Sequence, residues 1–121
     1  MSYVDGFVVA VPTANKDAYR TVAEQAAQVF KDHGALHQFE CWGDDVPKGE
    51  HTDFYGAVQA KDDETVVFSF IIWPDKATRD AAMEQAMSDP RMPHDPGAMP
   101  FDGKRMIYGG FAPLMEVHHD G

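Results

Sequence analysis

The side chains of this chain that are able to do chemistry fall into small groups, and each group is limited by reach. His37 and Cys41 share one face of a strand-like run, a pairing that elsewhere activates a thiol. Four residues of strand span about 13 Å, too far for direct contact without a bend, so a buried structural thiol is the favoured reading of Cys41. His33 and His37 have the i, i+4 spacing of a helical metal pair, but Gly34 ends the helix between them. His51-Thr52-Asp53, His94-Asp95 and His118-His119-Asp120 each offer two ligands in a loop or tail, with no third of evident geometry, so no metal site is expected. Asp44-Asp45 and Asp62-Asp63-Glu64 sit in turns, and carboxylates there need a pocket before they can act as acid and base. No glycine-rich phosphate loop, nucleophile elbow or zinc-protease helix is present, and no cofactor is expected.

The soft apolar residues offer more. Phe7, Phe39, Trp42, Phe68, Phe70, Met83, Met87, Met92, Phe101, Met106 and Tyr108 are mostly core, and any pocket they leave should lie between sheet and helices under the Met92 to Phe101 segment. Its expected ligand contacts are Glu40, Trp42, Met92, Phe101 and Arg105, with Tyr108, His37 or Glu40 as polar handles. Arg105 would meet an anionic ligand or form an ion pair. The leading reading is a protein that binds a small, partly apolar molecule. The rival is a cofactor-independent oxygenase acting on an activated aromatic substrate, with His37 and Tyr108 as candidate catalytic residues; a third is a purely structural dimer.

These residues need elements to position them. At 121 residues the chain is long enough for one core, and residues 1–121 are read as one domain. A net charge of −10 with scattered Lys and Arg disfavours nucleic acid. The longest apolar run, Val66 to Trp73, is far short of the ~20 residues that span a bilayer, and the first residues lack a basic region and apolar signal core. One cysteine, Cys41, excludes an internal disulfide, and a cytoplasmic location is expected.

The pattern along the chain reads strand, helix, strand, strand, helix, strand. Tyr3 to Val11 is a strand closed by Pro12, after which Thr13 or Asn15 is placed to cap a helix. Tyr19, Val22, Ala23, Ala26, Val29 and Phe30 form the apolar stripe of that helix, which Gly34 ends. From Leu36 to Gly43 residues alternate, with Gln38, Glu40 and Trp42 on one side and His37, Phe39 and Cys41 on the other, as in an edge strand. A further strand pass is expected from about Thr52 to Ala60, then a central strand from Thr65 to Trp73. Asp75 is the N-cap of a second helix carrying Ala82, Met83, Ala86 and Met87. The proline-rich stretch from Pro90 to Gly103 reads as a flap over the core's edge. Lys104 to Phe111 is the last strand, with Gly109-Gly110 marking a bulge or a close backbone approach, and the tail from Glu116 to Gly121 reads as frayed.

This order specifies an α+β, ferredoxin-like sandwich, a four-stranded antiparallel sheet with two helices on one face. Val8, Ala10, Val67, Ile71 and Trp73 are read as opposite to Phe7, Val9, Val11, Phe68, Phe70 and Ile72, so both faces are apolar. Each large side chain left wet forfeits roughly 1.5 to 3 kcal/mol, which calls for a cover on the second face. A second copy, sheet against sheet, is the economical one, with the Pro90 to Gly103 segment as the alternative.

The runs Glu40 to Pro47, Ala60 to Ser69 and Pro100 to Phe111, together with the opening Met1 to Phe7, resemble the YbaA-like family of uncharacterised bacterial proteins, domain of unknown function family 1428. The resemblance implies a dimeric α/β barrel, similar to small cofactor-free monooxygenases, haem-degrading proteins and stress-response barrels. It implies no activity and no catalytic residues. His94-Asp95-Pro96-Gly97 and the His118-His119 tail depart from the family pattern, which bears on the length of the flap.

Overall fold

The computed structural model of the chain describes residues 2–93, 95, 97 and 99–119. Strand β1 (Tyr3–Pro12) leads through a 3-10 turn at Thr13–Asn15 into helix α1 (Lys16–Asp32), which is followed by β2 (His37–Trp42). A single helical turn, α2 (Phe54–Ala57), precedes β3 (Glu64–Trp73) and helix α3 (Lys76–Met87); a second 3-10 turn, Gly103–Arg105, enters β4 (Ile107–Phe111). The strands form one antiparallel sheet in the order β2-β3-β1-β4. The most apolar strand, β3, is therefore central and the alternating β2 is at an edge, as the sequence implies, and β1 takes the other central place.

Local chemistry explains most boundaries. Gly34 takes φ +114°, a conformation side chains resist, and turns the chain out of α1. Asp75 caps α3 by accepting the Thr78 amide at 2.7 Å. Neither expected cap of α1 acts as one. The Thr13 hydroxyl bonds that of Thr65 at 2.7 Å, and the Asn15 side chain donates to the Pro100 carbonyl at 3.0 Å, pinning the late segment to the start of α1. The strand expected from Thr52 to Ala60 is also absent. Asp53 accepts the Gly56 amide at 2.7 Å, and this cap closes the Phe54–Ala57 turn where the aromatic residues read as extended.

Cross-strand register corrects the assignment of faces. Val8 pairs with Phe68 and Val9 with Val67, so Val8 and Ala10 share a face with Phe68, Phe70 and Ile72. Phe7, Val9 and Val11 share the other with Val67, Ile71 and Trp73, and this is the face the helices cover: Ile71, Trp73 and Ala82 pack with Phe30 and Met83. Within each strand the alternation holds; the error lay in how β1 and β3 were matched. The open face carries a ladder of rings, Phe39 stacked on Phe70 at 4.9 Å and Phe68 at 5.8 Å from Phe70. Phe39, Phe68, Ile107 and Phe111 are 45 to 61% exposed there. Among the described residues only one end is covered from within the chain, where Val58 and Tyr55 pack on Val8, Ala10 and Val66. The Pro90 to Gly103 segment does not supply that cover, because its described apolar residues lie on the helix side. Cys41 is free and exposed on the open face, not buried.

Gly109 and Gly110 form no bulge: β4 pairs residue for residue with β1. A side chain at Gly110 would collide with Arg79 and Tyr3, so the close approach is by side chains.

Candidate functional site

Helix α1 leaves two adjoining hollows against the sheet, both open to solvent. The inner one, a cavity of about 240 Å³, is walled by Phe7, Val9, Phe30, Ile71 and Met83 from the packed elements and by Met92, Met99, Phe101 and Met106 from the late segment. The outer one, about 380 Å³, opens between α1 and β2 and is lined by Lys16, Asp17, Arg20, Glu24 and Trp42. Tyr19, Ala23, Gln38 and Glu40 line both and mark the passage between them.

The polar groups at this passage form a directed chain. Tyr19, almost fully buried, donates its hydroxyl to Glu40 Oε1 at 2.5 Å. Gln38 Nε2 donates to the other carboxylate oxygen at 3.0 Å. Burial pushes the Tyr19 phenol far above its ordinary pKa, and the charge and hydrogen bond of Glu40 push it further; a hydrogen bond from Ser69 opposes them. Tyr19 therefore stays protonated and holds its proton toward Glu40. Gln38 Oε1 is buried without a partner, the one such side-chain atom among the described residues. Its orientation follows from Glu40, since the flipped amide would set an oxygen against the carboxylate.

Of the residues singled out from the sequence, Glu40, Met92 and Phe101 line the inner cavity and Trp42 the outer cleft. Arg105 reaches neither. Its guanidinium grips Glu64 with two bonds of 2.7 Å and also binds Asp102 and the Gln59 carbonyl, which leaves it no free edge for an anion. His37 pairs with Ile72 on the open face, whereas Tyr108 stands on the helix side of β4, at the opposite edge of the sheet. The structure does not bring these two together, and neither lines the cavity. Tyr19, Gln38 and Ser69 escaped the sequence reading. Tyr19 was one of a run of helix-stripe residues; the usable signal was that Gln38 and Glu40 share a strand face.

Among the described residues no group of three or more His, Cys, Asp and Glu side chains is placed to hold a metal. Asp53 of the His51-Thr52-Asp53 run is occupied in capping α2. His33 lies 3.4 Å from Asp89. His94 and Asp120, and with them the pairs they would form, lie outside the described residues. No described helix is long and apolar enough to cross a membrane.

A ferredoxin-like α+β protein with a hollow between its sheet and first helix is the class that this geometry defines. Residues 2–103 match the model of a family described as proteins of unknown function, DUF1428, and the chain belongs to that family. It is 59% identical over 116 residues to an uncharacterised protein, YbaA, of Escherichia coli strain K12, covering 96% of this chain and 99% of that one. The YbaA protein of Shigella flexneri matches to the same extent. Among solved structures, a dimeric ferredoxin-like protein from an uncultured marine organism superposes with a TM-score of 0.57 at 13% identity, covering 96% of this chain and 98% of that chain. That likeness supports the fold alone. SnoaB, a cofactor-independent oxygenase from Streptomyces nogalater, reaches a TM-score of 0.48 at 17% identity over 98% of this chain and 96% of that one, a likeness that carries no argument about chemistry.

Proposed function

We propose that this protein is a small-molecule-binding homodimer of the cytoplasm whose ligand, a compact and mostly apolar body, occupies the cavity under α1. The observation that carries the reading is the composition of that cavity: four methionines and three phenylalanines among the described walls, with its polar groups gathered at one end. Methionine thioethers adapt their shape and aromatic faces suit flat apolar bodies. A cavity of about 150 Å³ takes up benzene, so about 240 Å³ suits a molecule of one to two rings.

The dimer follows from the open face. Its exposed rings and Ile107 form a continuous apolar patch of the kind soluble proteins cover, and a second copy supplies the same patch about a two-fold axis. The marine protein of like fold is named as a dimer, which is consistent with this. The single thiol, Cys41, sits on that face and suits a reducing compartment.

Native mass spectrometry of the protein purified gently from cells tests both statements at once. The expected spectrum shows twice the chain mass, with part of the population carrying a small adduct that organic solvent strips away. A species of single-chain mass at high protein concentration would end the dimer reading. Absence of any adduct, together with no uptake of small aromatic probes, would end the binding one.

A further inference from the structure

We infer that the occupant of this site is a cation: an apolar, ring-sized molecule carrying a protonated amine, its body in the inner cavity and its ammonium beside Glu40 and Gln38. The inference rests on the binding function proposed above and names the class of ligand. Two donors at the passage are already committed to Glu40. The Tyr19 hydroxyl and a Gln38 N–H both point at the Glu40 carboxylate. What remains toward a ligand is acceptor: the free lone pairs of the Glu40 carboxylate, and the Gln38 oxygen, which has no partner. A ligand must therefore arrive with donors.

Charge decides which donor. Lys16 and Arg20 line the outer cleft beside Asp17 and Glu24 on the same helix, so the charge left over is that of Glu40. Arg20 is held by Glu24 at 2.8 Å, and Lys16 lies 5.3 Å from the centre of the Trp42 ring, so neither basic group binds Glu40. Asp5, also on the helix side, and Glu64, at the start of β3, each have an arginine partner, and among the described residues Glu40 has none. An ammonium supplies the missing counter-charge. It escapes most of the cost of desolvation because Glu40 is itself solvent-exposed, so the ammonium stays in contact with water while the ring enters the apolar hollow.

Four probes of similar size separate the possibilities: phenethylamine, phenethyl alcohol, ethylbenzene and phenylpropionate, each titrated into the full chain while the methionine methyl resonances are followed. The expected order is amine first, by at least about tenfold over the alcohol and the hydrocarbon, as hydrogen bonds to charged groups warrant, with the carboxylate weakest. Glu40→Gln should erase that preference, lowering amine affinity at least about tenfold relative to ethylbenzene, and Gln38→Met should weaken the amine more than the hydrocarbon. If the alcohol, hydrocarbon or carboxylate binds as well as the amine, or if Glu40→Gln keeps the preference, the cationic assignment is wrong while the cavity remains a binding site. If none of the four moves the methionine signals, the binding function itself falls and this inference with it.

Discussion

Asp5 and Glu40 are both carboxylates on the helix side of one sheet, each held by two side chains, and they have opposite fates. Asp5, 3% exposed in the central strand β1, accepts Trp73 Nε1 at 2.9 Å and Arg79 Nε and Nη2 at 2.9 to 3.1 Å. Arg79 in turn lies 5.1 Å from the centre of the Tyr3 ring, and only glycine at position 110 leaves room for the pair. Every part of that cluster is used, and its charge is cancelled. Glu40, on the edge strand β2, is held by Tyr19 and Gln38, which are neutral, next to a buried oxygen with no partner. A closed cluster fixes architecture; an open one beside a cavity leaves work for a ligand.

That contrast breaks most visibly at Asp5. Asp5→Asn removes the buried partner of Arg79, which keeps Asp80 at 2.8 Å and is itself 23% exposed, so the loss should lie toward or below the lower end of the about 3 to 5 kcal/mol typical of breaking a fully buried pair. Urea unfolding at fixed protein concentration should show a loss of that order. A loss below about 1 kcal/mol would mean that the Asp5 cluster is as dispensable as an exposed ion pair.

The Glu64–Arg105 clamp sharpens the comparison through pH. Arg105 hydrogen bonds hold the Glu64 carboxyl down to about 2, from an ordinary value of 4.5, and both side chains are largely buried. A carboxyl depressed in the folded state contributes stability that is complete above about pH 4.5 and is lost as pH falls toward about 2. The contribution is on the order of 3 kcal/mol by linkage. Glu64→Gln should therefore lower stability at neutral pH, and the gap from the parent protein should close on acidification through that window. A gap of constant size across the window would show that the ion pair is not what Glu64 contributes. The clamp also explains why Arg105 misled as a ligand contact: it ties the start of β3 to the turn before β4, between the cavity-wall residues Phe101 and Met106.

What the sequence revealed, and what it hid, divides along the same physical line. Pro12, Gly34 and Asp75 mark element ends because they act on their own backbone, and the stripe of α1 is visible because its period is local. The Phe54–Ala57 turn hid because an Asp53 cap outweighs two strand-favouring aromatics. Which faces of β1 and β3 coincide depends on a register shift of one residue, and no single strand records it. Glu40 stood out as a charge among apolar neighbours. Tyr19 did not, since a tyrosine in an apolar stripe gives no sign that its hydroxyl will meet a carboxylate 21 residues away.

The smallest effect falls on Gln38, and it is the most telling. Gln38→Met keeps the length of the side chain, deletes the hydrogen bond to Glu40 and deletes the buried oxygen that had no partner. The first change costs about 1 to 2 kcal/mol and the second returns about as much, because an unsatisfied buried acceptor carries a desolvation penalty of similar size. Urea unfolding should therefore find Gln38→Met within about 1 kcal/mol of the parent, against the larger loss at Asp5. That outcome would fit the proposed binding role, in which the buried Gln38 acceptor serves what enters the cavity and not the fold. Were Gln38→Met to lose as much stability as Asp5→Asn, the two carboxylate clusters would be alike, and the passage at Glu40 would be one more piece of the framework.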